Sequence, residues 1–430
     1  MRRFCSLALL LLTLAAVPVP AQGPGAPAPP PPPAGPPPRP DRPGGGYSLE
    51  QATSDQAQLH TIAFNGLAFL TGDAGAATFI PPGKVADFFG FQYLRDIDAA
   101  GKGHNPMFLD RIAGNVMRLL TDGQRRTFQA AAREEAVRLE AIARMRLPLV
   151  AAFHLELSGD LPKGCRGLDR AAVQACCADL FEQDSRLAWH RAQVFARVYR
   201  SLSAEQRRTL GGWTFGDFRT WPGVDPETFR EFNPRAGSRL ESVAFMTLAS
   251  EFFSWVAGSV EADTYFCPER HGTYFGGFYL KDLPAMGQKD YDISTTLTGD
   301  AGEAFLAALE PAQRDRLARV VDQQRETLRG IVSVRRAIAG RLRTFLDGSG
   351  PAEAELRTLG RQYGKLDGEL AFLYASAYRD LQRTLDGPQK ARLQVLRGQP
   401  SRERGTAFLY SDRIFLAQLP DPSFLLGPTH

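Results

Sequence analysis

With 430 residues, 43% of them hydrophobic, the chain has material for a sizeable folded core. Its 51 Lys and Arg against 47 Asp and Glu leave a formal charge of +4, too small an excess for a protein whose main partner is nucleic acid. No stretch after the N-terminal leader is apolar enough for a membrane helix.

The first elements concern export. Met1-Arg2-Arg3 is a basic start, Ser6 to Val17 a short Leu-rich run, and Val19-Pro20-Ala21 places small residues at a cleavage position. Residues 1–21 therefore read as a secretory signal peptide cleaved near Ala21, and the expected location is periplasmic or extracellular. Cys5 lies upstream of the apolar run, where it cannot serve as a lipid-bearing cysteine at the cleavage point. Residues 22–46 are rich in Pro and Gly and read as a disordered, extended tether.

A repeat organises the remainder. Residues 89–96, FGFQYLRD, align about 186 positions on with FGGFYLKD at 275–282. The expected division is a helical unit over 47–211, a linker over 212–239, a second unit over 240–398 and a C-terminal tail over 399–430. Each unit is expected to begin with an aromatic-rich helical segment and to end in a long antiparallel helical hairpin. Heptad steps carry the hairpins: Phe128, Ala132, Glu135, Leu139, Ile142, Arg146, Leu149 and Phe153 in one, Leu317 through Phe345 in the other. Pro148 predicts a kink in the first of these helices. Strand signals are almost absent, so the expected class is all-α.

One phrase occurs four times: LLTDGQRRTF at 119–128, SLSAEQRRTL at 201–210, ALEPAQRDRL at 308–317 and TLDGPQKARL at 384–393. Thr121 and Ser203 are N-cap residues whose oxygens accept from the backbone three residues on, while Gln124 and Gln206 reach back, which makes a capping box. Gln313 and Gln389 hold the matching place behind the weaker caps Glu310 and Asp386. The pattern Leu-Thr-x-x-Gln, complete at 120–124 and partial at 202–206, 309–313 and 385–389, resembles the LTXXQ-motif family of periplasmic helical proteins. That resemblance implies a helical cradle with a client-binding concave face, here built from a tandem duplication. The aromatic first half of each unit departs from the family pattern.

Candidate sites follow from residues that are out of place. Arg146 and Asp184, and again Arg335 and Asp367, are charged positions in apolar seams and should come level in each hairpin as register-fixing ion pairs. Cys267, His271 and Met286 lie in one aromatic loop and offer soft donors for copper or, with others, zinc. Phe89, Tyr93, Phe275 and Tyr279 stand beside glycines and are candidates to line an apolar ligand pocket. Among four cysteines left after cleavage, Cys165 with Cys176 or Cys177 is a candidate disulfide.

No hydrolase triad, HExxH helix, phosphate-cradling loop or haem-attachment motif is present in the sequence, and no cofactor is expected. The sequence-based reading is an exported, non-enzymatic protein that binds other exported proteins or unfolded clients, as a chaperone or stress adaptor does. Its rivals are a metal- or small-ligand-binding protein using the Cys267/His271 loop, and an envelope spacer.

Overall fold

The structure is a computed structural model that describes residues 112–213, 220–223, 239–253, 255–256, 304–397 and 421–428, one face of 55–70, and short strands at 83–84, 93–94, 407–409 and 412–414. These residues are helical almost throughout, and the all-α class is correct. The helices are α1 (Gly114–Leu119), α2 (Asp122–Ser158), α3 (Arg170–Ser201), α4 (Ala204–Gly212), α5 (Arg239–Phe253), α6 (Pro311–Arg343), α7 (Glu353–Gln382) and α8 (Gly387–Arg397). The strands, β1 (Gly83–Lys84), β2 (Tyr93–Leu94), β3 (Cys165–Leu168), β4 (Ala407–Leu409), β5 (Asp412–Ile414) and β6 (Leu426–Pro428), pair two by two, β1 with β2, β3 with β6, β4 with β5.

Two long antiparallel hairpins, α2–α3 and α6–α7, make the frame. Helix α2 starts at the Thr121 capping box and stops at Gly159, whose φ of 79° gives the left-handed cap that a side-chain-bearing residue adopts at a cost. It runs on through Pro148, so the proline does not end it. The ring removes the N–H that the carbonyl four residues back would accept and crowds that carbonyl, while the buried Leu147 and Leu149 on either side hold the helix in place. The heptad seams are buried as their spacing predicts: Phe128, Leu149 and Phe153 on α2, Leu317, Ile331 and Leu342 on α6.

The two hairpins join through α3 and α7, the most extensive helix–helix contact among the described residues. Gly360, Gly364 and Gly368, one turn apart on α7, make that approach possible. A Cβ on Gly364 would stand 2.2 Å from the Cys177 carbonyl oxygen, and one on Gly368 would stand 2.8 Å from the Gln174 Cα. Backbone therefore lies on backbone, with no room for a side chain between them. Ion pairs flank this spine. Glu182 accepts from Arg357 and Arg361, and Glu369 from Arg170 and Gln174. The two arginines, Arg361 foremost, hold the Glu182 carboxyl below the usual range.

The helical segments that precede the hairpins are crossed over. Helix α5, at the start of the stretch expected as a second unit, packs on α2 of the first hairpin, where Phe252 meets Phe128 at 5.5 Å and Phe195 at 5.9 Å. The face of 55–70 lies against the second hairpin: the Tyr378 hydroxyl donates to the Ile62 carbonyl at 2.7 Å, and Arg325 pairs with Asp55 at 2.8 Å. Described residues from both of the stretches expected as units, 47–211 and 240–398, thus contribute to one hydrophobic core. Of the stretch read as a linker, the described Trp213 and Trp221 belong to that core. Trp213 and Trp221 stack at 4.9 Å, Trp221 packs on Phe253, and Asn115 and Arg118 donate to the carbonyls of Pro222 and Gly223. The end of the expected tail is also anchored, since β6 pairs with β3 and Leu425 is buried.

Candidate functional site

The four repeated phrases resolve into two clasps. Gln124 Nε2 donates to Gln206 Oε1 at 3.3 Å, and Gln206 Nε2 returns a bond to Gln124 Oε1 at 2.9 Å. Gln313 and Gln389 make the same exchange at 3.3 and 2.8 Å. Each oxygen also receives the backbone N–H of its own cap residue, Thr121, Ser203, Glu310 or Asp386. Each amide nitrogen reaches a backbone carbonyl across the junction: Ser201, Leu119, Thr384 and Ala308. Only an amide performs this double task, because a carboxylate accepts but cannot donate. The recurring Gln is therefore a fastening at the open end of each hairpin.

A buried polar cluster lies deeper in the first hairpin. Arg191 on α3 has no exposed surface and donates through Nε and Nη2 to Glu135 Oε2 on α2, at 2.8 and 2.7 Å. Its Nη1 donates to Glu251 Oε2 on α5 at 2.7 Å. Two buried carboxylates thus share one guanidinium. Burial pushes the Glu251 carboxyl up to about 8, with the charges of Glu135 and Asp184 adding to the rise and Arg191 opposing it. Glu251 is therefore mostly protonated at neutral pH, and the cluster keeps its charge balance within the core. On the outer side His190 Nδ1 stands 3.5 Å from Glu135 Oε1, while His190 Nε2 faces Glu134 at 3.2 Å.

His190 also lines a surface groove of about 460 Å³ between α2 and α3, with Arg126, Arg197 and Glu134 at its rim and Ala131 and Val194 in its floor. A second groove, of about 480 Å³, lies between α6 and α7 with Arg316, Arg319, Arg383 and Asp380 at its rim and Val320 and Ala377 in its floor. Matched through the seams, Ala131 corresponds to Val320 and Val194 to Ala377, so the grooves occupy corresponding places on the two hairpins.

The other sequence-based candidates fare unequally. Arg146, Asp184, Arg335 and Asp367 are all buried, and Arg335 Nη1 donates to the Tyr363 hydroxyl at 3.2 Å. Cys165, Cys176 and Cys177 are free thiols, which corrects the expected disulfide from Cys165 to Cys176 or Cys177. Cys165 begins the strand paired to β6, whereas Cys176 is seven residues into α3; burial first, then the Asp179 charge, pushes the Cys176 thiol up to about 11 and leaves it a poor nucleophile. Cys267, His271, Met286, Phe89, Phe275 and Tyr279 lie outside the described residues. Tyr93 is described only as a backbone position of β2, opposite Lys84. Among the described residues no group of three or more His, Cys, Asp or Glu is arranged to hold a metal ion, and no helix is long and apolar enough to cross a membrane.

The sequence reading missed Arg191 and Glu251. A signal was present: Glu251 is a lone charge in the apolar run AFMTLASEFFSW, and Glu135 is a carboxylate at a heptad position. Comparison of the chain with family models, with curated proteins and with solved structures finds no match.

Proposed function

We propose that this chain is an exported, non-enzymatic scaffold that binds other proteins or unfolded clients, in the manner of a periplasmic chaperone or stress adaptor. The observation that carries the reading is the pair of solvent-open grooves at corresponding places on the two hairpins, each with a floor of small apolar side chains and a rim of arginines. Such surfaces suit polypeptide: aliphatic stems lie on the floor and guanidinium groups meet carboxylates or carbonyl oxygens at the rim. The α3–α7 glycine spine supports this use, because backbone-on-backbone packing fixes the hairpin frame that carries both grooves. The likeness to the LTXXQ family supports it through the four phrases alone.

The test is aggregation of a chemically unfolded model protein on dilution, followed by light scattering, with the mature chain added at equimolar level. Suppression of scattering, with client co-eluting on size exclusion, is the expected result. Unchanged scattering and no co-elution across several clients would remove the reading.

A further inference from the structure

Each groove contains one carboxylate, and in both it is already engaged by a neighbouring side chain. Glu134 Oε1 accepts from Arg138 at 2.5 Å and its Oε2 faces His190, while Asp380 Oδ1 accepts from Arg379 at 2.8 Å. Neither Arg138 nor Arg379 lines a groove. Among the described residues the groove arginines Arg126, Arg197, Arg316, Arg319 and Arg383 make no side-chain hydrogen bond or ion pair, and Arg126 acts on Asp122 only through its charge. Arginines along the α3–α7 junction behave differently, since Arg170, Arg357 and Arg361 each have a carboxylate.

The positive rims also arise from different positions. Matched through the seam, Arg126 and Arg197 of the first groove correspond to Asp315 and Asp380, and Arg316 and Arg319 of the second correspond to Thr127 and Ala130. The individual residues diverge, yet among the described residues each groove ends with guanidinium groups that no carboxylate contacts, over an apolar floor. A merely solvated helix face gives no reason for that shared outcome.

From this we infer that the two grooves are binding sites for acidic polypeptide segments, Asp- or Glu-rich stretches of an exported partner, one segment per groove. This rests on the protein-binding reading above and names the chemistry of the partner. Guanidinium forks pair with carboxylates, and the Ala131, Val194, Val320 and Ala377 floors take the methylene and methyl groups between them. Nucleic acid is disfavoured as occupant, since the chain carries only +4 overall and its groove floors are aliphatic, offering no aromatic platform for bases.

The test uses the whole mature chain and a short fluorescein-labelled peptide alternating Glu and Ala, read by fluorescence anisotropy. Saturable binding of two equivalents, weakened by added salt, is expected, with no binding of a Lys-for-Glu peptide. Arg126→Glu with Arg197→Glu should remove one equivalent, and Arg316→Glu with Arg319→Glu the other, each lost site weakening by about tenfold or more. The corresponding Arg→Lys pairs should retain binding, and circular dichroism checks that every variant is folded. Absence of peptide binding, binding indifferent to these substitutions, or tighter binding of an oligothymidylate than of the peptide would each overturn the inference. The unfolded-client assay is run on the same preparations. Clients held without any peptide binding would sink the acidic-segment inference and leave the scaffold reading standing, whereas peptide bound with no client held would remove the unfolded-client part of that reading and leave binding of acidic partners standing.

Discussion

Arg191 and Glu251 meet at 2.7 Å with both side chains sealed from solvent, and this contact fastens α5 to the α2–α3 hairpin. Because Glu251 rises to about 8 from an ordinary 4.5, the folded protein keeps a proton that the unfolded chain releases. The stabilisation this gives is complete below about pH 4.5 and is lost as pH climbs towards 8. Thermal unfolding of the wild type should therefore shift to lower temperature between pH 5 and about 8.5. Glu251→Gln, which keeps the shape and cannot ionise, should flatten that dependence and be the more stable protein at the alkaline end. Parallel pH profiles for the two proteins would count against a buried Glu251 that holds its proton in the folded state.

Removing the shared cation is a harsher change. Arg191→Met leaves Glu135 and Glu251 buried without their guanidinium. The expected loss is about 3–5 kcal/mol in denaturant unfolding at neutral pH. Adding Glu135→Gln and Glu251→Gln to Arg191→Met should recover much of that loss, since the penalty arises from uncompensated charge.

The glycine spine gives a test by size alone. Gly364→Ala places a methyl group 2.2 Å from the Cys177 carbonyl, so α3 and α7 must separate. The cost should reach roughly 3 kcal/mol, at the upper end for overpacking, because the obstacle is backbone and cannot rotate away. Gly340→Ala, where nothing stands within 4 Å, should instead be neutral or slightly stabilising. Equal effects at the two positions would show that the hairpins do not touch through backbone.

What the sequence made legible was local. Heptad spacing marked Phe128, Ile142 and Leu317 as buried, and the capping boxes at Thr121 and Ser203 are where the four phrases place them. The phrases did not disclose that Gln124 and Gln206, 82 residues apart, exchange amide bonds. Periodicity reports which face of a helix is apolar and says nothing of which helix covers it. For that reason α5 on the first hairpin, the 55–70 face on the second and β6 beside β3 were not foreseen. Gly360, Gly364 and Gly368 stood in the sequence at four-residue spacing, a signal for close helix approach that was not read.

The clasps separate capping from fastening. Gln206→Glu retains an oxygen for the Ser203 N–H and loses the nitrogen that donates to Leu119 and Gln124. A loss of about 1–3 kcal/mol is expected, since an acceptor pair is left facing a carboxylate. Gln389→Glu should behave alike, through Ala308 and Gln313.

The seam charges allow one more measurement. Arg335 and Asp367 are buried in the same hairpin, where the heptad spacing leads one to expect them nearly level. If they compensate one another, Arg335→Met and Asp367→Leu should each cost about 3–5 kcal/mol, and the double variant far less than the sum. A coupling of roughly 1–3 kcal/mol in the double-mutant cycle is the expected result. Additive losses would instead assign Arg335 to the Tyr363 hydroxyl and ring that it already meets, and would leave Asp367 held by other groups of the core.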